Sequence, residues 1–223
     1  SQGKLLDVAV RMLSIVGVSM PAFFLGLILQ IIFFRNLDIL PLAGRVDADL
    51  RFTNPLTPIT NFLLLDSFLT ANWVTLKDAF LHLILPAVTL AAYPTGLIAR
   101  MTRAAMLETL EQDYIRTARA KGLTQTRVML VHVLRNAIVP IIAFMGPTLM
   151  EMFTGLLIVE NLYSFPGFGR EYWNAVLNLD YPLIMGLTLI YATGIVLVNV
   201  LVEILGEMLD PRIRASKGLS VQR

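Results

Sequence analysis

Few side chains in this sequence could do covalent or metal chemistry. There is no cysteine, and the two histidines are His82 and His132, so disulfides, thiolate zinc sites and cysteine nucleophiles are excluded together. The histidines stand fifty residues apart, and the charge pattern below sets them on opposite sides of a membrane. No two-histidine metal or acid–base pair can form within one protomer, and each reads as a surface or packing histidine. No Gly-x-x-x-x-Gly-Lys-Ser/Thr loop occurs, so nothing here cradles nucleotide phosphates, and ATP, if used, is hydrolysed on another chain. Two features remain. Glu151 sits among apolar neighbours in GPTLMEMFTGLLIVE. The run YIRTARAKGLTQTRVMLVHVLRNAIVP, residues 114–140, carries Arg116, Arg119, Lys121, Arg127 and Arg135 without a carboxylate.

The elements that hold these residues are apolar. Hydrophobic residues make up 56% of the 223 and charged ones 15%, and the mean hydropathy is +0.70, which suits lipid better than water. A spanning helix needs about 20 apolar residues, and four stretches meet this, at 8–34, 80–99, 137–159 and 181–205. The expectation is an all-α, polytopic transmembrane helix bundle forming a single domain over 1–223. The first stretch is too long for a signal peptide and lacks a small-residue cleavage site, so it reads as a span. Seven cations lie in residues 100–136 and one, Arg170, in residues 160–180. The positive-inside rule then makes 100–136 a cytoplasmic loop, 35–79 and 160–180 outer loops, and both termini cytoplasmic. The net charge of +2 gives no argument for nucleic acid.

Within the basic loop, helix formers from Arg100 to Tyr114 extend the second span into the cytoplasm. Gly122 is placed to be the left-handed residue that ends a helix, and a second helix starts near Thr124. On that helix a regular spacing puts Gln125, His132 and Asn136 on one side and Leu130 and Leu134 on the other. Glu151 at membrane depth costs at least about 2.5 kcal/mol. It should therefore face the bundle interior, a watery path or a partner, either as a pathway or gate residue or as a structural carboxyl. Pro21, Pro86, Pro94, Pro140 and Pro147 fall in or beside spans and can kink them. Gly17, Gly146, Gly155, Gly186 and Gly194 permit close helix packing. The aromatic run YSFPGFGREYW has the composition of an interfacial belt at a tight turn.

At RTARAKG (116–122) the chain resembles the membrane-spanning permease subunits of bacterial and archaeal ABC importers for dipeptides and oligopeptides, whose relatives carry nickel chelates or glutathione. Their loop motif is Glu-Ala-Ala, three residues, Gly; here Arg116 replaces the Glu, Thr117 and Ala118 stand for the alanines, and Gly122 is the glycine. GVSMPAFFLGL (17–27), LPAVTLA (85–91), VENLYSFPGFGR (159–170), LDYPLIMG (179–186) and LDPRIR (209–214) follow in the family's order. The likeness covers nearly the whole chain except much of 35–79. Family members usually have six spans, so the first two are expected to be missing from these 223 residues.

The resemblance implies a coupling helix, residues Arg116, Thr117, Ala118, Arg119, Ala120, Lys121, Gly122, Leu123 and Thr124, docking on an ATPase. It also implies an outer loop, Phe165, Pro166, Gly167, Phe168, Gly169 and Arg170, near a substrate-binding protein. Candidates for the translocation path or gate are Met145, Glu151 and Asn199. Partners would be a second homologous permease, two cytoplasmic ATPases carrying ATP and Mg, an extracytoplasmic binding protein, lipid and a peptide substrate. The chain would hold no cofactor, be no enzyme, and reside in the cytoplasmic membrane as a peptide importer's permease. The alternatives are an ion-coupled secondary transporter with Glu151 as proton site, a permease for a nickel chelate or glutathione, and a membrane scaffold.

Overall fold

The computed structural model describes residues 12, 15 and 17–209. Among them every regular element is helical. In chain order these are α1 (Ala22–Leu29), a π-helical turn π1 (Gln30–Asn36), α2 (Ala48–Thr53), α3 (Leu63–Leu69), α4 (Trp73–Leu110), α5 (Asp113–Ala120), α6 (Gln125–Arg127), a second π turn π2 (Val128–Val133), α7 (Leu134–Leu162), α8 (Phe168–Leu177) and α9 (Tyr181–Leu209). The LDPRIR motif falls almost wholly outside the described residues.

Among the described residues two helices are long and apolar enough to cross a membrane, residues 73–110 and 181–206, and Ala22–Asn36 is a shorter apolar helix. Along α9, Leu189, Ile190, Val196, Leu197, Val200 and Leu201 are exposed. Each would lose about 1.5–3 kcal/mol in water relative to an apolar surrounding, so lipid or another apolar helix is the environment this surface suits.

Proline acts differently at different positions. Pro21 has extended ψ and separates the helical residues 17–19 from α1, so the first apolar stretch is broken there rather than bent. Pro86 and Pro94 lie inside α4 and Pro140 and Pro147 inside α7, and both helices continue through them. The second apolar helix begins at Trp73, earlier than residue 80, and the 35–79 loop is structured by α2 and α3. Asp66 organises the latter part. Its carboxylate accepts the Thr60 hydroxyl at 2.6 Å, the Thr60 N–H at 2.8 Å and the Asn61 N–H at 3.0 Å.

The chain divides into two compact units. One comprises 1–18, 94–151 and 188–223, the other 19–93 and 152–187. The first has a small apolar core of Ile115, Ala118, Val128 and Val133, against which Met106, Leu110, Leu123 and Met129 pack. The second is centred on Leu85, Val159 and Tyr163.

Candidate functional site

The basic segment folds as a short helix seated on its own core. α4 ends at Leu110, and α5 starts again at Asp113 after a turn at Glu111 and Gln112. The helix expected to run through Tyr114 therefore stops earlier, and Tyr114 belongs to α5. Along α5 the apolar residues Ile115 and Ala118 are three apart, which places both on the inner side, and both are buried. Arg116, Thr117, Arg119, Ala120 and Lys121 are exposed, as are Gly122 and Thr124. Of the nine residues named for coupling, Ala118 faces the core and Leu123 is half-buried against it; the other seven form the accessible surface.

Gly122 ends α5 as its sequence position suggested. Its φ is +74°, the Gly122 N–H donates to the Arg119 carbonyl at 3.0 Å, and the Leu123 N–H reaches back to the Ala118 carbonyl at 3.4 Å. This is the paired-bond ending with an apolar clamp, Leu123 packing over the core that contains Ala118. A side chain at Gly122 would touch nothing within 4 Å, so the backbone angle, and not crowding, demands glycine there. An ion pair on this surface, Arg116 Nη1 to Asp113 Oδ1 at 3.4 Å, is highly exposed and adds little stability.

The second helix begins at Gln125 after Thr124, in agreement with the sequence, but its faces differ from expectation. Val128 and Val133 are buried while Leu130 is 59% exposed. The cause is π2: in an i→i+5 ladder five residues complete about one turn, so positions 128 and 133 share a side. A 3.6-residue period assigns the wrong face. His132 is half-buried in this turn and Asn136 Nδ2 donates to its carbonyl at 2.7 Å.

The aromatic motif at 163–173 forms a hydrogen-bonded network in the other unit. Tyr163 is 1% exposed, so it is not part of an interfacial belt. Its hydroxyl lies 2.9 Å from Thr89 Oγ1 and donates to the Gly26 carbonyl at 3.3 Å. A Cβ at Gly26 would stand 2.5 Å from Leu162 Cδ2, so glycine here permits close helix contact. Glu160, which the sequence reading passed over, is 7% exposed and receives the Arg170 N–H at 2.9 Å near the start of α8. A Cβ on Gly167 would collide with that carboxylate. Arg170 itself donates from Nη1 to the Ser164 carbonyl at 3.0 Å. The backbone N–H groups of Phe165, Gly169 and Arg170 thus donate to Glu160, and Gly167 packs against its carboxylate. The signal for it was an acidic residue shortly before a Gly-Phe-Gly helix start, where a carboxylate is favoured.

Met145 is half-buried in α7, and Asn199 is exposed on α9. The backbone of Glu151 lies in α7, and its side chain is outside the described residues. His82 is a packing histidine: 7% exposed, with Nδ1 2.9 Å from the Asp78 carbonyl and 3.3 Å from Asp78 Oδ2. Among the described residues no group of three His, Asp or Glu could hold a metal ion.

An all-helical chain with apolar helices long enough to cross a membrane suits a membrane component. Residues 1–215 match the family of binding-protein-dependent transport system inner membrane components, and the chain belongs to that family. It is 41% identical over 216 residues to the dipeptide transport system permease protein DppB of Escherichia coli (strain K12), covering 97% of this chain and 63% of that protein. To the di/tripeptide transport system permease protein DppB of Pseudomonas aeruginosa (strain UCBPP-PA14) it is 42% identical over 213 residues, 96% of this chain and 62% of the relative. A putative peptide permease of Brucella suis biovar 1 is 35% identical over 215 residues, 96% and 60%. The chain spans less than two thirds of the length of these relatives.

Proposed function

We propose that this chain is the permease portion of an ATP-driven importer for di- or oligopeptides, coupled to separate ATPases through α5 and Gly122. The observation that carries the reading is similarity to peptide permeases over almost the entire chain. In this reading α1 with π1, α4, α7 and α9 are four spans, residues 100–136 are cytoplasmic, and both termini lie on that side. α4 is 38 residues long, about 57 Å at 1.5 Å per residue. That exceeds a hydrocarbon core of about 30 Å, so part of the helix projects beyond it. Two ATPases, each loaded with ATP and Mg, hold the exposed side of α5 here and on a second homologous permease, and an extracytoplasmic binding protein delivers the peptide.

Mechanical coupling requires that force on α5 reach the spans. Ile115 and Ala118 join α5 to the end of α4 through Met106 and Leu110, and to π2 through Val128 and Val133. A close-packed contact of this kind transmits displacement instead of absorbing it. Closure of the ATPases would then shift the loop and bias the path between two access states.

The test is ATP-dependent uptake of a labelled peptide into proteoliposomes holding the full-length protein with its second permease, ATPases and binding protein. Gly122→Val should lower uptake at least about tenfold while the permease pair still assembles. Unchanged uptake and unchanged stimulated ATPase activity would sink the coupling role. Uptake that persists without ATPases and follows the proton gradient would favour the ion-coupled alternative.

A further inference from the structure

The 35–79 segment and the 160–180 segment meet around a cavity of about 460 Å³ whose walls include Arg45, Arg51 and Thr75 on one hand and Leu50, Leu56 and Pro166 on the other. Its polar members are unsatisfied in a consistent way. Among the described residues neither Arg45 nor Arg51 has a carboxylate within ion-pair distance; Arg45 is held over the Phe165 ring, its guanidinium carbon 6.0 Å from the centroid. Thr75 is 3% exposed, and its buried hydroxyl has no hydrogen-bond partner among the described residues. Two acidic groups of the same segment are engaged elsewhere. Asp78 accepts the Asp47 N–H at 2.8 Å and stands beside His82, and Asp66 is taken by Thr60 and Asn61.

We propose that this cavity binds a small solute with a carboxylate at one end and an apolar body at the other. The two guanidinium groups supply forked donors suited to a carboxylate. Thr75 adds a hydroxyl that a ligand oxygen would complete, and Leu50, Leu56 and Pro166 take the apolar part. The volume suits a solute of dipeptide size and is much larger than a bare anion needs. The site is built from α2, the segment that follows it, the start of α4 and Pro166.

The test uses the full-length protein in lipid nanodiscs at low salt, with binding followed by titration calorimetry in the absence of ATPases, ATP and binding protein. The probes are alanyl-leucine, its C-terminal amide and sodium acetate; choosing a dipeptide rests on the peptide-import reading. The acid should bind, with the amide and acetate each at least about tenfold weaker, and added salt should weaken the acid. Arg51 is exposed on a short helix, so Arg51→Gln should fold normally; it should weaken acid binding about fivefold or more and leave the amide unchanged. Thr75→Val, close to isosteric, should cost about threefold. Equal affinity for acid and amide, acetate binding as tightly as the dipeptide, no binding of the acid at millimolar concentration, or an unaltered acid affinity in Arg51→Gln would each overturn the proposal. Because the readout is binding alone, failure of ATP-driven uptake with the acid still bound counts against the transport reading and not against this site.

Discussion

Gly122 and Gly167 each stand beside a helix end, yet a side chain is refused at the two positions for different reasons. At Gly167 the obstacle is matter: a Cβ would meet the buried Glu160 carboxylate, which already receives the Arg170 N–H. At Gly122 the space is empty, and the obstacle is a φ of +74°. The network around Glu160, Tyr163 and Gly26 is spent on internal contacts. The α5 turn uses a small apolar core to hold up an uncluttered backbone. One glycine belongs to packing and the other to presentation, and substitutions can tell them apart.

The largest expected effect comes from undermining the presenting core. Ile115 is fully buried among only four buried residues, so Ile115→Ala should cost about 2–4 kcal/mol. Since the cluster is small, the loss should appear as local opening of 113–123, read by faster amide exchange there while protection of the Thr89–Tyr163 region is unchanged. An equal rise in exchange in both regions would erase the distinction between them.

Gly167→Ala should follow, at about 2 kcal/mol in thermal or denaturant unfolding, because the Glu160 carboxylate must leave its N–H donors to admit a methyl group. In a Glu160→Ala background the collision is gone, and the cost should fall below about 1 kcal/mol, a coupling measurable by a double-mutant cycle. Gly122 should behave in the opposite manner. Gly122→Asn should be nearly neutral in stability, because Asn adopts the left-handed region with little penalty, while Gly122→Val should cost about 1–2 kcal/mol. If Asn and Val cost the same, conformation is not what selects glycine at this turn.

What the sequence made legible follows from where local rules govern. Gly122 as a helix-ending residue and the start of the next helix near Thr124 depend on backbone preferences within a few residues, and both are seen. The apolar stretches 80–99, 137–159 and 181–205 lie within helices because twenty or so apolar residues leave few alternatives, whereas the first stretch is broken at Pro21. Features that depend on distant partners were out of reach. The burial of Tyr163 is decided by Thr89 and Gly26, and the role of Glu160 by a helix that starts after a turn. π2 defeated the 3.6-residue period, so Leu130 was placed on the wrong face. The cavity at Arg45 and Thr75 joins two loops far apart in sequence, and no spacing rule links them.

The smallest effect sharpens the contrast from a third place, the Asp66 hub, where satisfaction by hydrogen bonds can be titrated. The Thr60 hydroxyl is the main cause of a lowered carboxyl pKa; burial opposes it, and the backbone N–H groups of residues 59–61 reinforce it. A folded value below the ordinary 3.8 means that the unfolded chain binds the proton more readily than the folded one. Stability from Asp66 is therefore complete above the ordinary value and is lost as pH falls through the folded value. Asp66→Asn should remove that dependence. Melting curves of wild type and variant should differ at pH about 6 and converge as the pH falls below the ordinary carboxyl value and through the folded one. Convergence follows because a protonated Asp66 and an asparagine are both neutral, and neither attracts the Thr60 and Asn61 donors as a carboxylate does. A gap that stays constant over this range would mean that Asp66 acts by shape alone, and the loop carrying it would then resemble the Gly167 region, held by packing, more than a charge-assisted hub.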